Sequence, residues 1–219
     1  MCSPRRLFGC NYDNIIGDYI DKLHYDESLL LWHVATELCF QKEEKGAANK
    51  GDTYGGSCLC VCIADKLIRS TTKIYQWLCG LCSQKGEDKP AANKEAIPDD
   101  DRSLSKLLSD YMIYLLVQQP KMMSAVAGIG KIRYRDTCAE TENFFSRRGI
   151  KEGSKIACDA ILGVDTEVRP VYVKGDRSKS VLFDACMLAK ELNKLDHDTR
   201  WKIIIKVWVE IANVYCVML

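Results

Sequence analysis

Cysteine is the residue type best able to do chemistry in this chain, and it occurs twelve times in 219 residues. Cys58-x-Cys60-x-Cys62 and Cys79-x-x-Cys82 stand closest together. Thiolate pairs separated by two residues suit a tetrahedral zinc ion. Zinc knuckles sit on turns, however, and these cysteines lie in an apolar run from Cys58 to Cys82. Polar breaks at Lys66, Arg69, Lys73 and Gln76 recur every three or four residues, which is helical spacing. On a helix, residues two apart face different sides. The favoured reading is therefore reduced, buried or lipid-modifiable thiols without zinc. A redox role for Cys79-Gly-Leu-Cys82 would need a βαβ pattern around it, and none is evident.

Four other clusters carry candidate chemistry. Gly128-x-Gly130-Lys131 has the start of a dinucleotide fingerprint, but Arg133 occupies the third small position, so a plain turn is expected. Gly175-Asp-Arg-Ser-Lys-Ser180 opens a helix expected from Ser178 to Leu195. There Arg177, Ser178, Lys179 and Ser180 could hold an anion or accept a phosphoryl group. A P-loop would need glycine where Val173 and Ser178 stand, and an ordinary serine cap is the competing reading. His33 and Glu37, at i and i+4, could begin a metal site, but no third ligand is placed by the sequence. A hydrogen bond between them on the helix surface is expected instead. Lys131-Ile-Arg133-Tyr134-Arg135 could touch RNA or lipid headgroups, although a solvated lead into the next helix suits a chain of net charge +1 better. No nucleophile–base arrangement can be assembled from the sequence, so no catalytic residue, cofactor or metal ligand is assigned.

These residues need a scaffold, and its centre is Leu29–Phe40. Its apolar positions cover almost the whole helical circumference, leaving only a polar strip through His33, Glu37 and Gln41. Such a helix must be buried by others, with Leu104–Val117 and Trp201–Leu219 as candidates. Asp26 or Ser28 is its expected N-cap. Residues 1–25 form a leader with a weak helix at Asp13–Leu23, and residues 41–103 a variable loop and helix insertion. The acidic run Asp99-Asp100-Asp101 precedes a helix at Ser103–Gln119, which Pro120 ends. Thr137 and Glu140 suggest a capping box for a helix that closes at Gly149. A short helix follows near Lys155–Leu162. Glu167–Lys174 alternates Val and Tyr around Pro170, so a short extended pair near 171–173 is the most strand expected. The fold class is all-α: an irregular helical bundle with long loops, its single domain spanning 26–219.

With 31 basic and 30 acidic residues the chain is not a general nucleic-acid binder. At this length it can bury roughly 70% of its unfolded surface without disulfide staples. No signal peptide is visible and no run is apolar enough for a transmembrane helix, which suggests a cytoplasmic location.

The runs LLLWHVATELCF (29–40), LSDYMIYLLVQQPKMM (108–123), GIGKIRYRDTCAETENFF (128–145), VKGDRSKSVLFDACMLAKEL (173–192) and WKIIIKVWVEI (201–211) together resemble the plant domain-of-unknown-function 594 family. The resemblance implies a helical module that usually follows a membrane region, the companion domain of unknown function 4220. It implies no catalytic residue. Against that pattern the chain lacks the membrane region and stops soon after Glu210, which implies a truncated member.

The expectation is a non-enzymatic interaction module, the cytosolic part of a membrane-linked protein. The alternative is an anion- or small-ligand-binding regulatory domain using residues 175–180. In the last helix Lys202, Lys206, Glu210 and Asn213 fall within an arc of about 80° and the remainder is apolar. Trp201–Ile211 is expected to dock on the 29–40 helix. Val214, Tyr215, Val217, Met218 and Leu219 would then form an interaction surface for a protein partner, self-association or peripheral membrane contact.

Overall fold

A computed structural model describes residues 19, 23–47, 100–119, 123, 127–150, 155–168, 172 and 180–218. Among them are six helices and no strand: α1 (Tyr25–Ala47), α2 (Asp101–Gln118), α3 (Ala127–Ser146), α4 (Lys155–Leu162), α5 (Val181–Leu192) and α6 (His197–Met218). The fold is all-α, as the helical periodicities predict. The helix expected over Cys58–Cys82 lies outside the described residues, as do the pair near 171–173, apart from Tyr172, and the leader helix, apart from Tyr19 and Leu23.

Every residue of α1 from Asp26 to Cys39 is buried. The helix begins earlier than either expected cap: Ser28 N–H donates to His24 O, and Asp26 and Glu27 sit inside the first turn, where negative charge suits the helix dipole. Their carboxylates pair with Arg133 of α3 at 2.7 and 3.2 Å. Asp100 caps α2, its carboxylate accepting from Ser103 N–H at 2.5 Å, which holds Asp100 below the usual carboxylate range. α5 is capped by Ser180, one position before Val181 rather than at Ser178.

The helix α3 departs most from expectation. It starts ten residues before Thr137, and the predicted glycine turn lies inside its first two turns. Gly130 is there for close approach: a Cβ would come within 2.6 Å of Leu116 Cδ1 on α2. Thr137 is interior and its hydroxyl donates back to Arg133 O at 2.8 Å, so it caps nothing. The other end is as expected. Gly149 takes φ +62° beyond the last turn, and Ile150 N–H bonds back to Phe145 O.

Side-chain contacts fix the directions. Arg102 at the start of α2 meets Glu43 near the end of α1, while Gly130 brings Leu116 and Asp26 together at the opposite pole, so α1 and α2 are antiparallel. Trp201 meets Glu43 and Ile211 O accepts from Tyr25 Oη, so α6 is also antiparallel to α1. The expected docking of Trp201–Ile211 on the 29–40 helix is present but is not the main contact of α6. That helix reaches α1 through Tyr25, Glu43 and a Trp208 Nε1–H bond to Thr36, but its principal neighbour is α2. The most extensive cover over α1 is α5, whose Ala185, Cys186 and Ala189 are small enough to let two helices approach closely.

Candidate functional site

The polar strip on α1 is not at the surface. His33 and Glu37 are both buried, because α2 presents a matching strip of Lys106, Ser109 and Asp110. His33 Nδ1 shares a 2.8 Å hydrogen bond with Ser109 Oγ. Lys106 Nζ lies 3.1 Å from Glu37 Oε2 and also pairs with Asp110. Gln41 Nε2–H donates to Glu37 Oε1 at 2.8 Å. The bond expected between His33 and Glu37 is thus replaced by contacts from each to α2.

This layer holds a serine–imidazole pair at nucleophile–base distance, so its chemistry must be weighed. Ser109 is fully buried and His33 is 2% exposed, which leaves a substrate no approach. Burial, helped by the nearby Lys106 charge, lowers the His33 pKa to about 3. A general base operates best with a pKa near the ambient pH, and this ring is far below it. Burial works against the Lys106 charge too, yet Glu37 and Asp110 hold it protonated above the usual lysine range. The layer is a hydrogen-bonded, ion-paired contact between two helices.

A second polar centre closes the other end of α1. Glu43 accepts from Arg200 Nη1 at 2.5 Å and Trp201 Nε1 at 2.9 Å, lies 3.2 Å from Arg102 Nε, and is approached by His197 Nε2 at 3.6 Å. Arg200 also donates to Leu192 O and Leu195 O at the α5–α6 turn, and the Arg102 guanidinium stacks 3.8 Å from the Phe40 ring centre. One carboxylate thereby ties α1 to α2 and α6. Beside it a shallow cleft is lined by Asp100, Asp101, His197, Asp198 and Lys202. Among the described residues no group of three or more His, Cys, Asp or Glu side chains is arranged to hold a metal.

Arg177, Ser178 and Lys179 of the proposed anion site lie outside the described residues. Ser180 is fully buried; its hydroxyl accepts from Phe183 N–H at 3.2 Å and donates to Glu140 at 2.6 Å. A carboxylate of the chain itself therefore stands at the start of α5. Val214 is 40% exposed, Tyr215, Val217 and Met218 lie in α6 with side chains that are not described, and Leu219 is outside. Cys58, Cys60, Cys62, Cys79 and Cys82 are outside as well. Cys39, Cys158 and Cys186 are buried, and burial pushes the Cys39 thiol up to about 12 and Cys186 upward. In the basic run, Arg133 is spent on Asp26 and Glu27, whereas Lys131 and Arg135 are exposed.

The sequence reading missed Lys106, Ser109 and Asp110 as partners of His33 and Glu37. A signal existed: they repeat at three-, one- and four-residue intervals between the apolar residues Leu107, Leu108 and Met112, as a strip that complements the one on α1. Glu43 carried no such signal, because its partners are brought to it only by tertiary folding.

No protein-family model, curated protein or solved structure matches this chain.

Proposed function

We propose that the chain is a non-enzymatic helical interaction module that associates with itself or with a protein partner through the pole where α1 begins. The observation that carries this reading is the exposure of branched apolar side chains there. Ile129 and Ile132, one helical turn apart on α3, are 62% and 51% exposed. Val214, on the last turns of α6, reaches the same pole, since Ile211 is bonded to Tyr25 and Gly130 abuts Asp26. Exposed apolar groups gathered at one end favour burial against another surface. The burial of the Ser109–His33 pair further supports a role without catalysis.

The resemblance to the plant domain-of-unknown-function 594 family supports placing this module beside a membrane domain. Among the described residues no helix is long and apolar enough to cross a membrane. Peripheral contact through the same pole is the corresponding membrane reading.

Sedimentation of the full chain, the Ile129→Lys/Ile132→Lys variant and a chain lacking residues 214–219 tests the proposal. Both changes are expected to shift a concentration-dependent oligomer toward monomer while leaving the helical circular dichroism spectrum unchanged. A full chain that stays monomeric at high concentration, captures no protein partner and ignores anionic vesicles would defeat it.

A further inference from the structure

We propose that His33 is a proton-sensitive latch on the α1–α2 seam, holding the two helices together while neutral and releasing them when protonated. The argument begins with its hydrogen bonds. Nδ1 is engaged with Ser109, whereas Nε2 is buried and, among the described residues, has no hydrogen-bond partner. A neutral ring needs only one satisfied nitrogen to be tolerable here; an imidazolium has two N–H donors and a charge to satisfy. Among the described residues, the charged groups facing the ring are Lys106 on α2 and Glu37 on its own helix, with Asp110 tied to Lys106. The lysine repels a second cation. The glutamate attracts one, but its oxygens are already held by Lys106 and Gln41. Protonating His33 therefore places an unsatisfied cation beside an ammonium in the interior.

The direction with pH follows. In the unfolded chain His33 titrates near its ordinary value of 6.5, and in the folded chain only near 3. Below pH 6.5 unfolding takes up a proton that folding must expel. The stabilisation is complete above 6.5 and declines as pH falls toward 3, with the folding constant dropping about tenfold per pH unit. Between pH 6.5 and 5 this precedes the ordinary carboxylate range, so the step is separable from protonation of Glu37 or Asp110.

Urea unfolding of the full chain, followed by tryptophan fluorescence at pH 7.5, 6.5, 5.5 and 5.0, tests the latch. The wild type is expected to lose somewhat more than about tenfold in folding constant between pH 6.5 and 5.0. His33→Asn, which keeps an acceptor or donor near the Nδ1 position without a titrating ring, is expected to lose that slope, and His24→Gln, at an exposed site, to keep it. A slope retained in His33→Asn, or absent from the wild type, overturns the proposal. Should His33→Asn fail to fold, the imidazole resonances of the wild type decide: a His33 ring that remains neutral while the protein stays folded at pH 5.5 supports the latch, and one titrating near 6.5 in the folded state overturns it.

Discussion

The two sides of α1 are built on different physics. Toward α5 the contact is dry: Ala185, Cys186, Leu188 and Ala189 are all fully buried, and the thiol of Cys39 reaches only a backbone oxygen, Ala189 O at 3.9 Å. Toward α2 the middle of the contact is polar, built from His33, Glu37, Lys106, Ser109 and Asp110. Apolar burial is non-directional and tolerates small shifts in register. The polar layer does not, because His33 and Glu37 depend on Ser109 and Lys106 of the facing helix. The apolar side supplies adhesion, and the polar side fixes how α1 and α2 are aligned.

The largest expected break in this contrast is Lys106→Met. It strands Glu37 and Asp110 in the interior and is expected to cost about 3–5 kcal/mol in urea unfolding at pH 7. Adding Glu37→Gln and Asp110→Asn is expected to restore more than half of that loss; a triple variant as unstable as the single one would mean that packing, not charge pairing, sets the cost. On the dry side Ala189→Leu is expected to cost about 1–3 kcal/mol by overfilling the contact with α1. A neutral result there would show that the seam has room to spare. Ser109→Ala removes the hydrogen bond between Ser109 and His33 and is expected to cost about 1–2 kcal/mol, measured in the same way. The smallest effect sharpens the comparison without changing stability. Because their thiols are buried and held protonated, Cys39 and Cys186 are expected to resist alkylation until the protein unfolds. Rapid labelling of either in native protein, read by peptide mass, would show that the dry side opens.

How legible each region was in the sequence follows from the same distinction. The apolar helix Leu29–Phe40 was visible because its burial depends on composition alone, and α4 was found over the same residues, Lys155–Leu162. Gly149 was legible since a helix end with a positive φ has a local cause. The His33 strip was read as surface because one helix cannot disclose what its neighbour presents. Thr137 and Glu140 fit a capping box by spacing, yet Glu140 serves the cap of another helix through Ser180. Gly130 looks the same in sequence whether it makes a turn or admits Leu116. Each miss concerns a residue whose role is defined by a distant partner.

The contacts that cover α1 carry a consequence for the order of synthesis. Cys39 meets a residue 150 positions later, Thr36 one 172 later and Tyr25 one 186 later. A ribosome adding roughly 5–20 residues per second takes on the order of ten seconds to cross such a gap. Through that interval a helix buried at every residue from Asp26 to Cys39 has been made, while α5, its most extensive cover, and the partners supplied by α6 have not. α1 thus stays uncovered while most of the chain is being made, and its cover is complete only once α5 and α6 have followed.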